Sequence, residues 1–234
     1  MTITANQKFA IDAVLSLFET GRLPSLKSYA TCTVLADGAG ISYGKHQATD
    51  RANSLDRIVN KYIELGGSQA SNLKLYVARL ASNETATVDP KNPPAWVKDV
   101  MATLVAAGAD PVMHQAQDTV FDTDYWKPAV DVCAKIGLTS ALAHLMIYDT
   151  SIHSGIGGVS TIRKLFPEVA PAMGGNEHAY VQAYVTARRN WLATHPKPIV
   201  QKCVYRMDAL QALIAASNWD LVLPFPCRGA TVAR

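Results

Sequence analysis

The stretch from residue 7 to residue 44, QKFAIDAVLSLFETGRLPSLKSYATCTVLADGAGISYG, carries the reading that decides the fold. Ala10, Ala13, Val14, Leu17 and Phe18 recur at the period of a helix packed along one face, which predicts a helix over 7–20. Gly21 follows as a residue able to end that helix in a left-handed conformation, and Pro24 prevents continuation. From Thr31 the chemistry changes. CTVLA is β-branched and apolar, DGAG is turn material and ISYG resumes the strand-like character, so a short hairpin is predicted.

Outward from there the pattern is helical, at about 51–66, 70–81, 95–107, 110–122, 127–136, 138–151, 159–165, 177–193 and 199–217. The expected fold class is mainly α, with a small β-hairpin or sheet. Asp89–Pro94 (DPKNPP) reads as the clearest loop and as a hinge between two lobes. The chain of 234 residues is expected to form one domain, 1–234, of two lobes with a cleft between them. At 49% hydrophobic and 18% charged residues it is no disordered chain. The strongest apolar run, Leu138 to Ile147, carries Ser140 and His144 and falls short of the ~18 residues of a membrane span. A net charge of +3 is too weak a bias for a nucleic-acid binder. The opening MTITANQKFAIDAVL lacks a basic region and a cleavage site, so synthesis in the cytoplasm without a secretory signal is expected. The four cysteines lie far apart with no C-x-x-C pair and are read as free thiols rather than two disulfides.

The candidate chemistry starts with Glu19, in the last turn of the first helix. Unpaired carbonyls make that end negative, and burial beside it would raise the proton affinity of a carboxylate further, which suits a general acid. Taken alone, Glu19 also reads as a solvated surface residue, and Asp37 as an ordinary hairpin turn. Together they suggest a glycosidase holding two carboxylates across a sugar ring. Ser42 lies five residues beyond Asp37 and could orient a water. Gly38, Tyr43, Lys45, His46 and Gln47 cluster beside them as candidate substrate contacts. Asp149 sits in an apolar helix and needs a partner, for which Arg188 and Arg206 are candidates. Asp149 and His153 are spaced to share a metal but lack a convincing third ligand, so no metal and no cofactor are expected. Gly155-Ile156-Gly157-Gly158 lacks the spacing of a dinucleotide loop.

Taken in order, these pieces resemble the chitosanases of glycoside hydrolase family 46, relatives of the lysozyme superfamily. Glu19 and Asp37 are 18 residues apart, as the family's two carboxylates are, and the turn reads DGAG for its D-G-x-G. QAQDTVF (115–121), IYDTSIHSG (147–155), GGVSTIRK (157–164), GGNEHAYVQAYVTARR (174–189) and YRMDALQALIAASNWDL (205–221) follow in the family's order. The likeness is weak between about 50 and 112. The resemblance implies a two-lobed lysozyme-like fold with Glu19 as acid and Asp37 as base. It also implies Ser42 in the place of a water-positioning Thr, and an Asp149–Arg188–Arg206 network behind the acid.

The departures concern substrate. Ala39 stands where the family commonly has an Arg, and Lys45 and His46 beside Asp37 would repel glucosamine ammonium groups while suiting peptidoglycan carboxylates. The expectation is therefore a monomeric, inverting, muramidase-like hydrolase of bacterial peptidoglycan, of endolysin or bacteriolytic type. It would reach the cell wall after release or delivery. Chitosan is the alternative substrate, and a non-catalytic glycan-binding module is the alternative of a different class. No nucleic-acid or membrane partner is expected.

Overall fold

Thr4 starts the first helix, α1 (Ala5–Thr20), with a capping box. Its hydroxyl accepts from the Gln7 amide at 3.2 Å, and the Gln7 side chain accepts from the Thr4 amide at 2.9 Å. Gly21 closes the helix at φ +71°, its amide donating to the Leu17 carbonyl. These atoms come from a computed structural model that describes residues 2–234. The chain divides into two units, one containing the N-terminal segment up to Leu23 together with Tyr125–Arg234, the other Pro24–Asp124.

The second unit opens with the predicted hairpin, β1 (Cys32–Leu35) and β2 (Gly40–Tyr43), in which Val34 faces Ile41 and Leu35 faces Gly40. A third strand, β3 (Ala48–Thr49), extends the sheet on the β2 side. The helices α2 (Ser54–Glu64), α3 (Ala70–Lys74), α4 (Val77–Ala81), α5 (Ala95–Ala107) and α6 (Pro111–Phe121) complete the unit. Ile41, Leu55, Ile58, Tyr62, Leu73, Leu80, Leu104 and Met113 are among its fully buried side chains. The single helix expected over 70–81 is two. The backbone tightens to i→i+3 bonds at Leu75 and Tyr76, so both halves bury a leucine while Leu75 stays exposed. Asp89–Pro94 lies wholly inside this unit. The chain instead crosses between units at residues 23–24 and 124–125, so the proline segment is a surface connection and no inter-lobe hinge.

The first unit resumes after a π-helical turn at Asp122–Trp126 with α7 (Lys127–Ile136) and α8 (Ala141–Ser154). Then come α9 (Ile156–Arg163), α10 (Glu177–Ala193), α11 (Pro198–Gln201), α12 (Tyr205–Ala215) and a terminal hairpin, β4 (Phe225–Cys227) with β5 (Ala230–Val232). Every residue of α8 from Ala141 to Ser151 is buried. A helix apolar on all sides must be surrounded, and α1, α7, α9, α10 and α12 do so. The Glu177 carboxylate anchors its start, accepting from the Thr139 and Ser140 amides at 2.9 and 2.8 Å. The helix expected over 199–217 divides at a 3₁₀ turn, Lys202–Val204, and the terminal hairpin had no counterpart among the expected elements. All four cysteines carry free thiols. No helix among the described residues is long and apolar enough to cross a membrane.

Candidate active site

The predicted site residues fall into two groups, one in each unit. In the first unit α1 presents Glu19 from its last turn, as the sequence pattern requires. The surroundings differ from the burial expected. The Glu19 side chain is 33% exposed, and what faces it is a guanidinium, Arg206 Nη2 at 2.8 Å from Oε1. The helix end is itself neutralised. Arg228 donates to the Leu17 carbonyl at 2.7 Å, the Tyr205 hydroxyl donates to the Phe18 carbonyl at 2.6 Å, and Arg228 stacks over the Tyr205 ring. These groups satisfy carbonyls that the last turn leaves open and fix the direction in which Glu19 leaves the helix.

Behind Glu19 the structure brings together the three charged residues named from the sequence. Arg206 on α12 spans two acids, Nη2 to Glu19 and Nη1 to Asp149 Oδ1 at 2.7 Å. Arg188 on α10 donates to the other Asp149 oxygen. Asp149 and Arg188 are both fully buried. Burial alone would push the Asp149 carboxyl up, but Arg188 and Arg206 outweigh it and hold the group below the usual carboxylate range. Burial works against the Arg206 charge too, and Asp149 and Glu19 more than compensate, fixing it as a cation. His153 belongs to this neighbourhood rather than to a metal site with Asp149. Burial, then Arg206 and Arg188, push its imidazole down to about 4, so it is neutral near pH 7. No cluster of three or more His, Cys, Asp or Glu suited to a metal occurs among the described residues.

The second group lies on the three-stranded sheet. Asp37 sits at the exposed turn between β1 and β2, its Oδ1 accepting from the Ala39 amide at 3.0 Å. Gly38 and Gly40 take φ +79° and +75°, left-handed values that a Cβ would strain. Ala39 leaves the turn without a guanidinium of its own. Arg51 brings one, its Nη1 standing 3.5 Å from where a Gly38 Cβ would be. Ser42 lies in the middle of β2, opposite Thr33 on one side and Thr49 on the other, and is 2% exposed.

The neighbours of Asp37 are less available than the sequence suggests. Tyr43 is 1% exposed and donates its hydroxyl to the Leu104 carbonyl at 2.7 Å, so its side chain serves the core of the unit and not a substrate surface. Lys45 is 8% exposed. Its Nζ donates to Asp118 Oδ1 at 3.2 Å and lies over the Tyr29 ring, while Tyr29 donates to both Asp118 oxygens. The charge expected to repel a cationic sugar is therefore paired. His46 stacks on Phe121 with ring centroids 4.1 Å apart, and Gln47 is an exposed turn residue at φ +54°. Sequence reasoning did not foresee Asp118, Arg228 or Tyr205 in these roles, since each acts across a long chain separation and carries no local motif.

Residues 13–225 match the family model described as glycosyl hydrolase family 46. The chain belongs to that family. As a family 46 member it is a glycoside hydrolase, and the fold agrees with the family's solved structures. It is 25% identical over 240 residues to the chitosanase of Bacillus subtilis strain 168, a match spanning 97% of this chain and 83% of that one. The native chitosanase of Bacillus subtilis MY002 superposes with a TM-score of 0.80 at 23% identity over the full length of both chains. The Gynuella sunshinyii family 46 chitosanase in complex with chitotetraose superposes at 0.77 with 24% identity, covering 99% of this chain and 98% of that one. These relatives are chitosanases, which favours the alternative drawn from the sequence over its peptidoglycan reading.

Proposed function

We propose that this family 46 hydrolase is a chitosanase, a single catalytic domain over residues 1–234 that cleaves β-1,4 bonds between glucosamine units with inversion. Glu19 protonates the leaving glycosidic oxygen. Asp37 takes a proton from a water that Ser42 helps to hold, and the water attacks from the opposite face of the sugar. Such a mechanism requires the two carboxyl groups to stand roughly 6.5–9.5 Å apart around bound substrate. Arg206, shared between Glu19 and Asp149, is the observation that carries the reading. It fixes the direction of the acid while Asp149 takes part of the guanidinium's charge.

Chitosan is favoured over peptidoglycan because the argument for an anionic substrate rested on Lys45 and His46, and Lys45 is paired with Asp118. Relatives spanning nearly the whole chain are chitosanases, one of them holding chitotetraose. The test is release of reducing ends from soluble chitosan and from purified bacterial sacculi, each with Glu19→Gln as control. Activity on chitosan that disappears in Glu19→Gln is the expected result. Activity confined to sacculi would restore the peptidoglycan reading, and an effect on either polymer that survives Glu19→Gln would point to a glycan-binding module.

A further inference from the structure

The turn that carries Asp37 is backed by residues to which no role has yet been given. Gly40 leaves no room for a side chain: a Cβ there would stand 2.4 Å from Thr85 Oγ1, 2.9 Å from the Ala86 nitrogen and 3.0 Å from Asp50 Cβ. A Cβ on Gly38 would lie 3.8 Å from the Ala86 carbonyl oxygen. The 3₁₀ turn Glu84–Thr87 thus lies flush against DGAG.

Hydrogen bonds convert that contact into a fixed register. Thr85 Oγ1 accepts from the Ile41 amide at 3.0 Å and donates to Asp50 Oδ2 at 2.5 Å, and the Thr85 amide donates to the same oxygen at 3.0 Å. From the other direction the Asp50 amide donates to the Ile41 carbonyl at 3.1 Å, and the Arg51 amide to the Ala39 carbonyl at 3.2 Å. Both Asp50 and Thr85 are 0% exposed. Asp50 Oδ1 is buried with no partner among the described residues. A buried carboxyl with one oxygen unmatched is a poor stabiliser, because its desolvation is only partly offset. What it supplies is direction, since Ile41 precedes Ser42 on β2 and closes the Asp37 turn.

We infer that Asp50 and Thr85 are positioning residues for catalysis, clamping Ile41 so that Asp37 and Ser42 are held in working register. The inference rests on the proposed role of Asp37 as base. Thr85→Val keeps the shape of the side chain and removes the oxygen that bridges Ile41 to Asp50. A small displacement of a catalytic group is costly, so kcat on soluble chitosan should fall about 10–100-fold with KM within about threefold. Thr85→Ser restores the oxygen and should restore kcat.

A merely structural clamp would lower Tm and leave kcat per folded molecule unchanged at 25 °C in Thr85→Val, and that result would overturn the inference. Asp37→Asn, assayed beside it, separates the two claims. An inactive Asp37→Asn with a fully active Thr85→Val sinks the clamp alone, whereas an active Asp37→Asn sinks the base and the clamp with it. Should Thr85→Val not fold, amide exchange in the unmodified protein decides. The Ile41 amide is expected to be protected as a sheet amide is, and exchange as fast as an open turn amide would contradict the clamp.

Discussion

The proposed acid and the proposed base of this enzyme are held by different physics. Glu19 stands at one end of a chain of charges, Arg206, Asp149 and Arg188, two of them fully buried. Asp37 stands on a turn whose form is set by hydrogen bonds from backbone amides and a hydroxyl and by two glycines, with Thr85 and the Asp50 carboxyl behind it. A general acid needs its carboxyl aimed at the leaving oxygen, and an ion pair to Arg206, itself held by buried Asp149, provides that aim. A general base that acts through a water needs above all a fixed direction, and a tight turn against a rigid backing provides it.

The largest effects should come from the two carboxylates proposed to react. Glu19→Gln and Asp37→Asn are each expected to lower kcat by about 10²–10⁴-fold, measured as reducing ends from chitosan, with circular dichroism unchanged. If the comparison holds, the next largest effect is on stability and only on the acid side. Asp149→Asn leaves Arg188 buried against a neutral partner, and urea unfolding should show a loss of about 3–5 kcal/mol. A loss under about 1 kcal/mol would mean that the buried pair is not what holds this unit.

The pH dependence sharpens the contrast. With the folded His153 imidazole at about 4, the unfolded chain takes up this proton first on acidification. His153 should therefore draw stability down between the ordinary histidine value of about 6.5 and about 4. Asp149, depressed in the folded state, adds its own loss only below the ordinary carboxylate range. His153→Gln should flatten the fall of Tm in the upper window and leave the lower one intact. An unchanged slope would remove His153 from the account.

The smallest effect is expected at Lys45. Its ion pair has a partly exposed partner, Asp118 at 43%, so Lys45→Met should change stability by about 1 kcal/mol or less. It should also leave KM for chitosan within about threefold, because a charge already paired contributes little field to a substrate. A large gain in chitosan affinity would show that Lys45 does oppose the cationic polymer.

Local pattern was enough for much of the fold. The helices expected over 95–107, 127–136 and 177–193 occur with those bounds, and the Glu19 helix and the DGAG hairpin stand where their periodicities put them. The Asp149–Arg188–Arg206 network was legible because an acid in an apolar helix demands a partner and the resemblance to family 46 implied Arg188 and Arg206 as that partner. What could not be read was set by pairing across the chain. Lys45 looked free beside Asp37 because nothing in its neighbourhood foretells Asp118, 73 residues on. Asp50 and Thr85 meet across 35 residues in the segment where the family likeness is weakest. The proline-rich segment misled because loop composition marks a turn of the chain and not a boundary between packed units.

The most direct test of two carboxylates acting on opposite faces of the sugar is the stereochemistry of the first product. Proton NMR during hydrolysis of a soluble chitosan oligomer should show the α-anomer of the new reducing end appearing before mutarotation. Initial appearance of the β-anomer would place the reaction in the retaining class, whose carboxyls stand about 5–5.5 Å apart, and would contradict Asp37 as a base acting through water.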